Sequence, residues 1–336
     1  MNGPSNKMDA YLAPPPGGLA LATAESIDGA DVAAADRASR HWTSDEPGDL
    51  RPGTPAHKRA VTRMFLETFN PYKPTIIDWP ELGAEERDRL VSLPIWDIAV
   101  QTEGKASLRM ATYAETLTDP DWHAALALNG WEESRHKVVL ANLVRAYGIQ
   151  LDPEPAYLKP RYAEWAYLVT GFSECIDSFF AFGLFATAER SGFFPPALVA
   201  TFEPVMQEEC RHILLFANWL AAHRRSCGWG VRRLWFELRV AAVWVFLVWE
   251  RIGIARGVNG DGTEARPQDR KFTITGSQAV SNTDISAGEL MALCLAENDR
   301  RFAGYDARLA RPTTMPWLTR LALRFLRPAA AVGARA

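Results

Sequence analysis

The chain has 336 residues, 48% hydrophobic and 23% charged, and its 37 Lys and Arg residues nearly balance 40 Asp and Glu residues. This length allows one large domain or two smaller ones with a well-buried core. The formal net charge of −3 argues against binding to the phosphate backbone, so no nucleic-acid partner is expected. The four cysteines form no CxxC pair, which excludes zinc-knuckle and thioredoxin-like motifs and favours reduced thiols in a cytoplasmic protein.

The first segment, residues 1–60, is rich in Pro, Gly and Ala and lacks the basic and apolar regions of a signal peptide. It predicts a disordered N-terminal tail. The most apolar run, 240–249, is flanked by charged residues. Because a spanning helix needs about 20 apolar residues, this run indicates a buried or interfacial helix.

After the tail, long segments with helical periodicity alternate with Gly- and Pro-containing breaks, and strand-like alternation is absent. This pattern predicts an all-α fold. We expect a four-helix bundle over 61–226, with core helices from about 85. We expect 227–336 to add a helix at 231–255, a loop at 257–284 and a basic amphipathic C-terminal helix.

Two five-residue segments, 132–136 and 208–212, share the pattern Glu-Glu-x-Arg-His. On a helix, residues three apart lie on one face, so each segment can present its second Glu and its His to one point. Carboxylate and neutral imidazole ligands suit iron or manganese. The two pairs are Glu133 with His136 and Glu209 with His212.

A four-helix bundle binds two such ions when its other two helices each supply one Glu. In two antiparallel helices, residues at equal distances from the connecting turn lie at the same height along the bundle, so the positions of these acids can be predicted by counting from the turn. Glu133 lies 14 residues after the turn at Asp119, and Glu103 lies 16 residues before it. Glu103 is therefore the matching acid on the first core helix.

The same count applies to the turn at Gly192 in the second half of the bundle. Glu209 lies 17 residues after this turn and Glu174 lies 18 residues before it. Glu174 is the matching acid on the third core helix, and Asp177 stays open as a neighbouring partner or substitute ligand.

A single Glu-x-x-His pattern is more often a solvated helix face than a ligand pair. Two copies with the same flanking residues, each matched in depth by a lone Glu, favour a dimetal site. The remaining histidines are expected to be structural or solvated: His41, His57, His123 and His223.

The repeated motif resembles the [Asp/Glu]-Glu-x-Arg-His motif of the ferritin-like diiron carboxylate superfamily, found in soluble acyl-carrier-protein desaturases and rubrerythrin relatives. Trp131 before the first copy and Leu140 and Leu143 after it are especially desaturase-like. The resemblance covers about 96–223 and implies a ferritin-like four-helix bundle with additional C-terminal helices.

The resemblance also implies roles for individual residues. Glu133 and Glu209 would bridge the two metal ions as the catalytic carboxylates, and residues 132, 135, 208 and 211 would pair across helices to hold the imidazoles. The cofactor would be two Fe ions, with a mixed Mn/Fe pair left open. The six implied metal ligands are Glu103, Glu133, His136, Glu174, Glu209 and His212.

The resulting hypothesis is an O2-dependent diiron oxidoreductase that hydroxylates, desaturates or N-oxygenates an apolar or acyl substrate. The alternative is a rubrerythrin- or ferritin-like protein that oxidises iron or destroys peroxide without an organic substrate. A third reading is a non-catalytic helical scaffold with a structural metal.

Electrons must come from a ferredoxin or reductase, because the chain has neither a GxGxxG segment after a strand nor a cysteine cluster. The helix at 231–255 and the Arg-rich segment 317–327 leave peripheral membrane contact open, as an alternative to a bundle cover and a solvated helix. A homodimer is also left open.

Overall fold

The computed structural model describes residues 13–19, 21, 29–93, 95–255 and 285–325. Within these ranges the chain is all-helical, and its only β feature is an isolated bridge between Trp42 and Tyr305. The predicted all-α fold is therefore confirmed. The eleven α-helices are α1 (Gly29–Arg40), α2 (Pro55–Glu67), α3 (Ala84–Ser92), α4 (Trp96–Ala114), α5 (Pro120–Tyr147), α6 (Ala163–Arg190), α7 (Pro196–Thr201), α8 (Glu203–Ser226), α9 (Val231–Ala255), α10 (Ala287–Phe302) and α11 (Thr314–Leu323).

Four of these helices form the bundle that carries both Glu-Glu-x-Arg-His segments. α4 packs against α5 and α6, and α8 packs against the same two helices. α5 begins after Asp119, whose carboxylate accepts hydrogen bonds from the backbone N–H groups of Asp121 and Trp122. It ends at Gly148, which has the left-handed backbone conformation. The predicted turn at Asp119 thus fixes where the first ligand helix starts.

The first core helix is interrupted near its beginning. α3 ends at Ser92, Leu93 is extended with φ −67° and ψ 121°, and α4 starts at Trp96. Pro94 in the sequence explains the break, because the residue before a proline avoids the helical region. The part of this helix that carries Glu103 lies beyond the break.

Outer helices cover the bundle. α2 packs on α5 and α8, while α9 and α10 pack on α6. The predicted helix at 231–255 coincides with α9, and α10 opens with a capping box between Ser286 and Glu289. The loop expected at 257–284 lies outside the described residues.

Residues 29–60 differ from the disordered tail that their composition predicts. They contain α1 and the start of α2. Arg40 donates to Glu203 at 2.7 Å and to Gln207 at 3.1 Å, and the backbone N–H of Ser44 donates to Asp306 at 3.0 Å. Side-chain contacts with distant residues order this segment, and composition does not reveal such contacts.

Among the described residues, α6 is the one helix long and apolar enough to cross a membrane. Most of its apolar window is buried against the rest of the chain. An apolar helix at the centre of a bundle has the same composition.

Candidate metal centre

The two Glu-x-x-His pairs meet inside the bundle. Glu133 and His136 lie on α5, Glu209 and His212 lie on α8, and all four are buried. One potential ligand atom from each lies within 4.8 Å of the others. The two imidazole ring centroids are 5.4 Å apart. The sequence prediction that these four residues converge is confirmed.

Both imidazoles turn the same nitrogen toward the centre of this cluster. His212 Nδ1 lies 2.7 Å from Glu133 Oε1, and His136 Nδ1 lies 3.2 Å from Glu209 Oε1. Neither Nδ1 has a hydrogen-bond partner of acceptable geometry, although both atoms are buried. A buried nitrogen without a partner is rare in proteins and is the arrangement that a metal ion would satisfy.

The opposite nitrogen of each ring is held by a carboxylate from the other helix. His136 Nε2 donates to Glu208 at 2.8 Å, and His212 Nε2 donates to Glu132 at 2.9 Å. This bond fixes the ring orientation, and Nδ1 is then the nitrogen that a neutral imidazole would offer to a bound metal ion. α5 and α8 thus support each other's histidine in the same way.

Two fully buried arginines neutralise these supporting carboxylates. Arg211 donates to both oxygens of Glu132, at 2.7 and 2.9 Å, and Arg135 donates to Glu208. The predicted cross-helix pairing of these four residues is therefore present. Each pair is neutral as a whole, so the supporting layer adds no net charge to the cluster.

The end of α2 and the chain that follows it supply further acceptors to both guanidinium groups. Arg135 donates to the backbone carbonyls of Asn70 and Tyr72, at 2.6 and 3.2 Å. Arg211 donates to Thr68 Oγ1 at 2.8 Å and to the carbonyl of Phe65. The sequence analysis missed these residues, because backbone acceptors have no side-chain signature and no motif marks the end of α2.

The two lone acids lie beside this cluster on the other bundle helices. Glu103 on α4 places Oε2 at 3.8 Å from His136 Nδ1. Both carboxylate oxygens of Glu174 on α6 are buried without a hydrogen-bond partner. Asp177 lies elsewhere, since its Oδ2 accepts a hydrogen bond from Arg251 on α9 at 2.8 Å.

The carboxylates inside the cluster compete for ionisation. Burial raises the pKa of Glu133 well above its usual value, and the charges of Glu209 and Glu103 raise it further. Burial, with the charges of Glu133 and Glu209, also raises the pKa of Glu174. For Glu209, burial opposes ionisation, but the close contact of its carboxylate with the His136 imidazole lowers its pKa on balance.

The supporting carboxylate Glu132 behaves in the opposite way. Burial disfavours its charge, yet Arg211 and His212 outweigh that cost and lower its pKa to about 2. Glu132 is therefore a permanent anion, and the unfavourable charge is confined to the inner carboxylates. A bound cation would remove that repulsion.

The other candidate residues have structural surroundings. His57 contacts Asn218 at 3.1 Å, His123 contacts the carbonyl of Ala114 at 2.9 Å, and His223 lies 3.2 Å from Glu164. Burial raises the pKa of Cys210, next to Glu209, to about 12, as expected for a packed thiol.

Comparisons with protein-family models, with curated proteins and with solved structures found no significant match to this chain. The geometry therefore carries the functional argument by itself. An all-helical chain encloses a buried cluster of two Glu and two His residues that can hold a metal ion.

Proposed function

We propose that the chain is a non-haem diiron oxidoreductase of the ferritin-like type, which uses O2 to oxidise an apolar or acyl substrate. The observation that carries the proposal is the pair of buried Nδ1 atoms without partners, each beside a carboxylate. Glu103 and Glu174 would complete the site, giving each of the four bundle helices at least one ligand.

Charge supports two ions rather than one. The inner group contains the carboxylates of Glu103, Glu133, Glu174 and Glu209, while the supporting acids are already paired with arginines. Four carboxylates at this centre would be balanced by two divalent cations. Neutralisation by cations is the usual way in which such a buried acidic cluster is tolerated.

Two iron ions bound there would supply electrons for O2 reduction and the oxidising power that side chains lack. The residues of this chain contribute orientation and exclusion of water. Glu132 and Glu208 hold the Nε2 protons, so the imidazoles stay in one tautomer. Phe172 and Ile176, two residues before and after Glu174 on α6, are buried in the main hydrophobic core.

The test is oxygen-dependent oxidation of the ferrous protein. Wild type is loaded with Fe²⁺ without oxygen and mixed with oxygenated buffer, and O2 consumption and iron oxidation are followed. We expect both in wild type, loss of both in Glu133→Ala, and wild-type behaviour in Glu115→Ala. Glu115 is a suitable control, because it pairs with Lys159 at the exposed end of the bundle.

Ferrous wild type that shows no oxygen-dependent oxidation would contradict the proposal. A folded bundle that depends on bound metal but has no redox activity would instead indicate a structural metal. Peroxide turnover without any co-substrate would favour the rubrerythrin-like alternative. An apolar substrate that accelerates O2 consumption, with electrons from a ferredoxin or reductase, would support an oxygenase or desaturase.

A further inference from the structure

α9 is apolar on two opposite sides. One side joins the main hydrophobic core through Phe236, Val240, Val243 and Leu247. The other side faces solvent, and we call it the outer face of α9. Its exposed residues are Val231, Leu234, Trp235, Leu238, Val245, Phe246, Val248 and Trp249.

The outer face is broad and uncharged. At 3.6 residues per turn it covers an arc of about 160° and a length of about 27 Å. Within this described part of the helix, the charged residues lie on the flanks of the arc, as with Arg232, Arg239 and Glu237. Val245 is 70% exposed and Trp235 and Trp249 are each 63% exposed. An apolar patch of this extent marks an interaction surface rather than ordinary scattered exposure.

The α8–α9 turn, residues 224–233, extends this surface with positive charge. It contains four arginines and no acidic residue, and Trp229 at its tip is 97% exposed. Arg224 and Arg233 are paired with Glu237. Among the described residues, Arg225 and Arg232 make no ion pair and are exposed. The turn thus offers an indole ring beside two available cations.

We propose that the outer face of α9 and the α8–α9 turn dock the protein on a membrane that contains anionic lipids. The helix would lie in the plane of the interface, with Leu238 and Val245 in the acyl boundary. Tryptophan rings favour the headgroup level, and Arg225 and Arg232 would contact lipid phosphates. The alternative occupant, α9 of a second copy, would cover the apolar face but would leave the charge and the indole of the turn unexplained.

This inference is independent of the proposed function, because no metal ligand lies on α9 or in the turn. The test uses the full-length protein and sedimentation with lipid vesicles. One preparation contains phosphatidylcholine alone, and the other contains about 30% phosphatidylglycerol as the anionic lipid. We expect binding to the anionic vesicles to be at least about tenfold tighter and to weaken as NaCl is raised.

Variants separate the apolar and the charged contributions. Leu238→Gln combined with Val245→Gln should weaken binding to anionic vesicles by about tenfold or more. Arg225→Gln combined with Arg232→Gln should remove the preference for anionic lipid. Leu158→Gln makes the same chemical change at an 87% exposed site between α5 and α6 and should bind as wild type does. Circular dichroism of each variant confirms that it is folded.

Failure of folded wild type to bind either vesicle preparation would overturn the proposal. An equal loss of binding in Leu158→Gln would also overturn it. Analytical ultracentrifugation tests the alternative occupant. If wild type is a dimer that does not bind vesicles, and if the Leu238→Gln/Val245→Gln variant is a monomer, the outer face of α9 binds a second copy of the chain.

Discussion

At the scale of residues, buried charge is organised as pairs that cross between α5 and α8. Glu132 lies on α5 but supports His212 and Arg211 on α8, and Glu208 supports His136 and Arg135 in return. Removing one member leaves its partner as an unpaired charge in a dry environment. Such a loss costs about 3–5 kcal/mol, more than the intact pair contributes relative to apolar residues.

Arg211→Met should therefore lower the free energy of unfolding by about 3 kcal/mol or more, because Glu132 loses its neutralising partner. Combining it with Glu132→Gln should recover part of this loss, since the uncompensated charge is removed. Urea unfolding of the metal-free proteins measures both effects. If the double variant loses as much unfolding free energy as the two single variants lose together, Arg211 and Glu132 are not energetically coupled.

The resemblance of the repeated motif to the ferritin-like superfamily predicted these pairs. Both copies contain a Glu directly before the ligand Glu and an Arg directly before the His. The contacts from Phe65 and Asn70 were unpredictable, because they use backbone carbonyls whose position depends on how the chain leaves α2.

At the scale of helices, close approach depends on two glycines that lack a side chain at the crossing point. A Cβ on Gly130 of α5 would lie 2.9 Å from the backbone nitrogen of Ala111 on α4. A Cβ on Gly183 of α6 would lie 2.3 Å from Cys294 Sγ and 3.0 Å from its Cα and backbone nitrogen on α10. Neither backbone can move without shifting a whole helix.

Gly183→Ala should destabilise the protein by about 1–3 kcal/mol, because the clash with α10 outweighs the better helix propensity of alanine. Gly288→Ala on α10 is the matched control, since its Cβ would meet only Ser286 Oγ at 3.9 Å. Chemical denaturation should show the control to be neutral or slightly more stable. Equal stability of the two variants would contradict the packing described here.

Helix positions were predictable wherever a capping residue or a glycine punctuates the sequence, as at Asp119 and Gly148. The break between α3 and α4 shows what periodicity alone overlooks. The apolar pattern continues across Pro94, whereas the backbone at Leu93 cannot remain helical.

At the scale of the whole molecule, the segment before α2 and the chain after α10 hold each other in place. Asp306 accepts from the backbone N–H of Ser44 at 3.0 Å and pairs with Arg308 at 2.6 Å. Arg308 in turn donates to the carbonyls of Glu46 and Gly48, at 2.7 Å each. Composition indicated disorder for this segment because the residues that order it lie between 163 and 262 positions away.

The Asp306 contact should make stability depend on acid pH. Hydrogen bonding from Arg308 is the main factor that lowers the pKa of Asp306 to about 2 from an unfolded value of 3.8. A lowered pKa contributes stability that is present above pH 3.8 and is lost as the pH falls toward 2. Asp306→Asn should therefore cost about 1 kcal/mol at pH 7, allowing for solvent screening.

Urea unfolding at pH 7 and at pH 3 tests this expectation. The difference in unfolding free energy between wild type and Asp306→Asn should shrink at pH 3, because the Asp306 carboxylate of the unfolded chain takes up a proton below its value of 3.8 while the folded chain keeps it ionised. A difference that stays the same at both pH values would show that the shifted pKa makes no contribution.

The most direct measurement for the whole account is the iron content per chain after anaerobic loading with Fe²⁺ and removal of free metal. Wild type should retain two irons per chain, Glu133→Ala should retain fewer, and Glu115→Ala should match wild type, because the buried Glu and His cluster is the binding site. Folded wild type that retains no iron would contradict the account and would leave the paired motifs as salt-bridged helix faces.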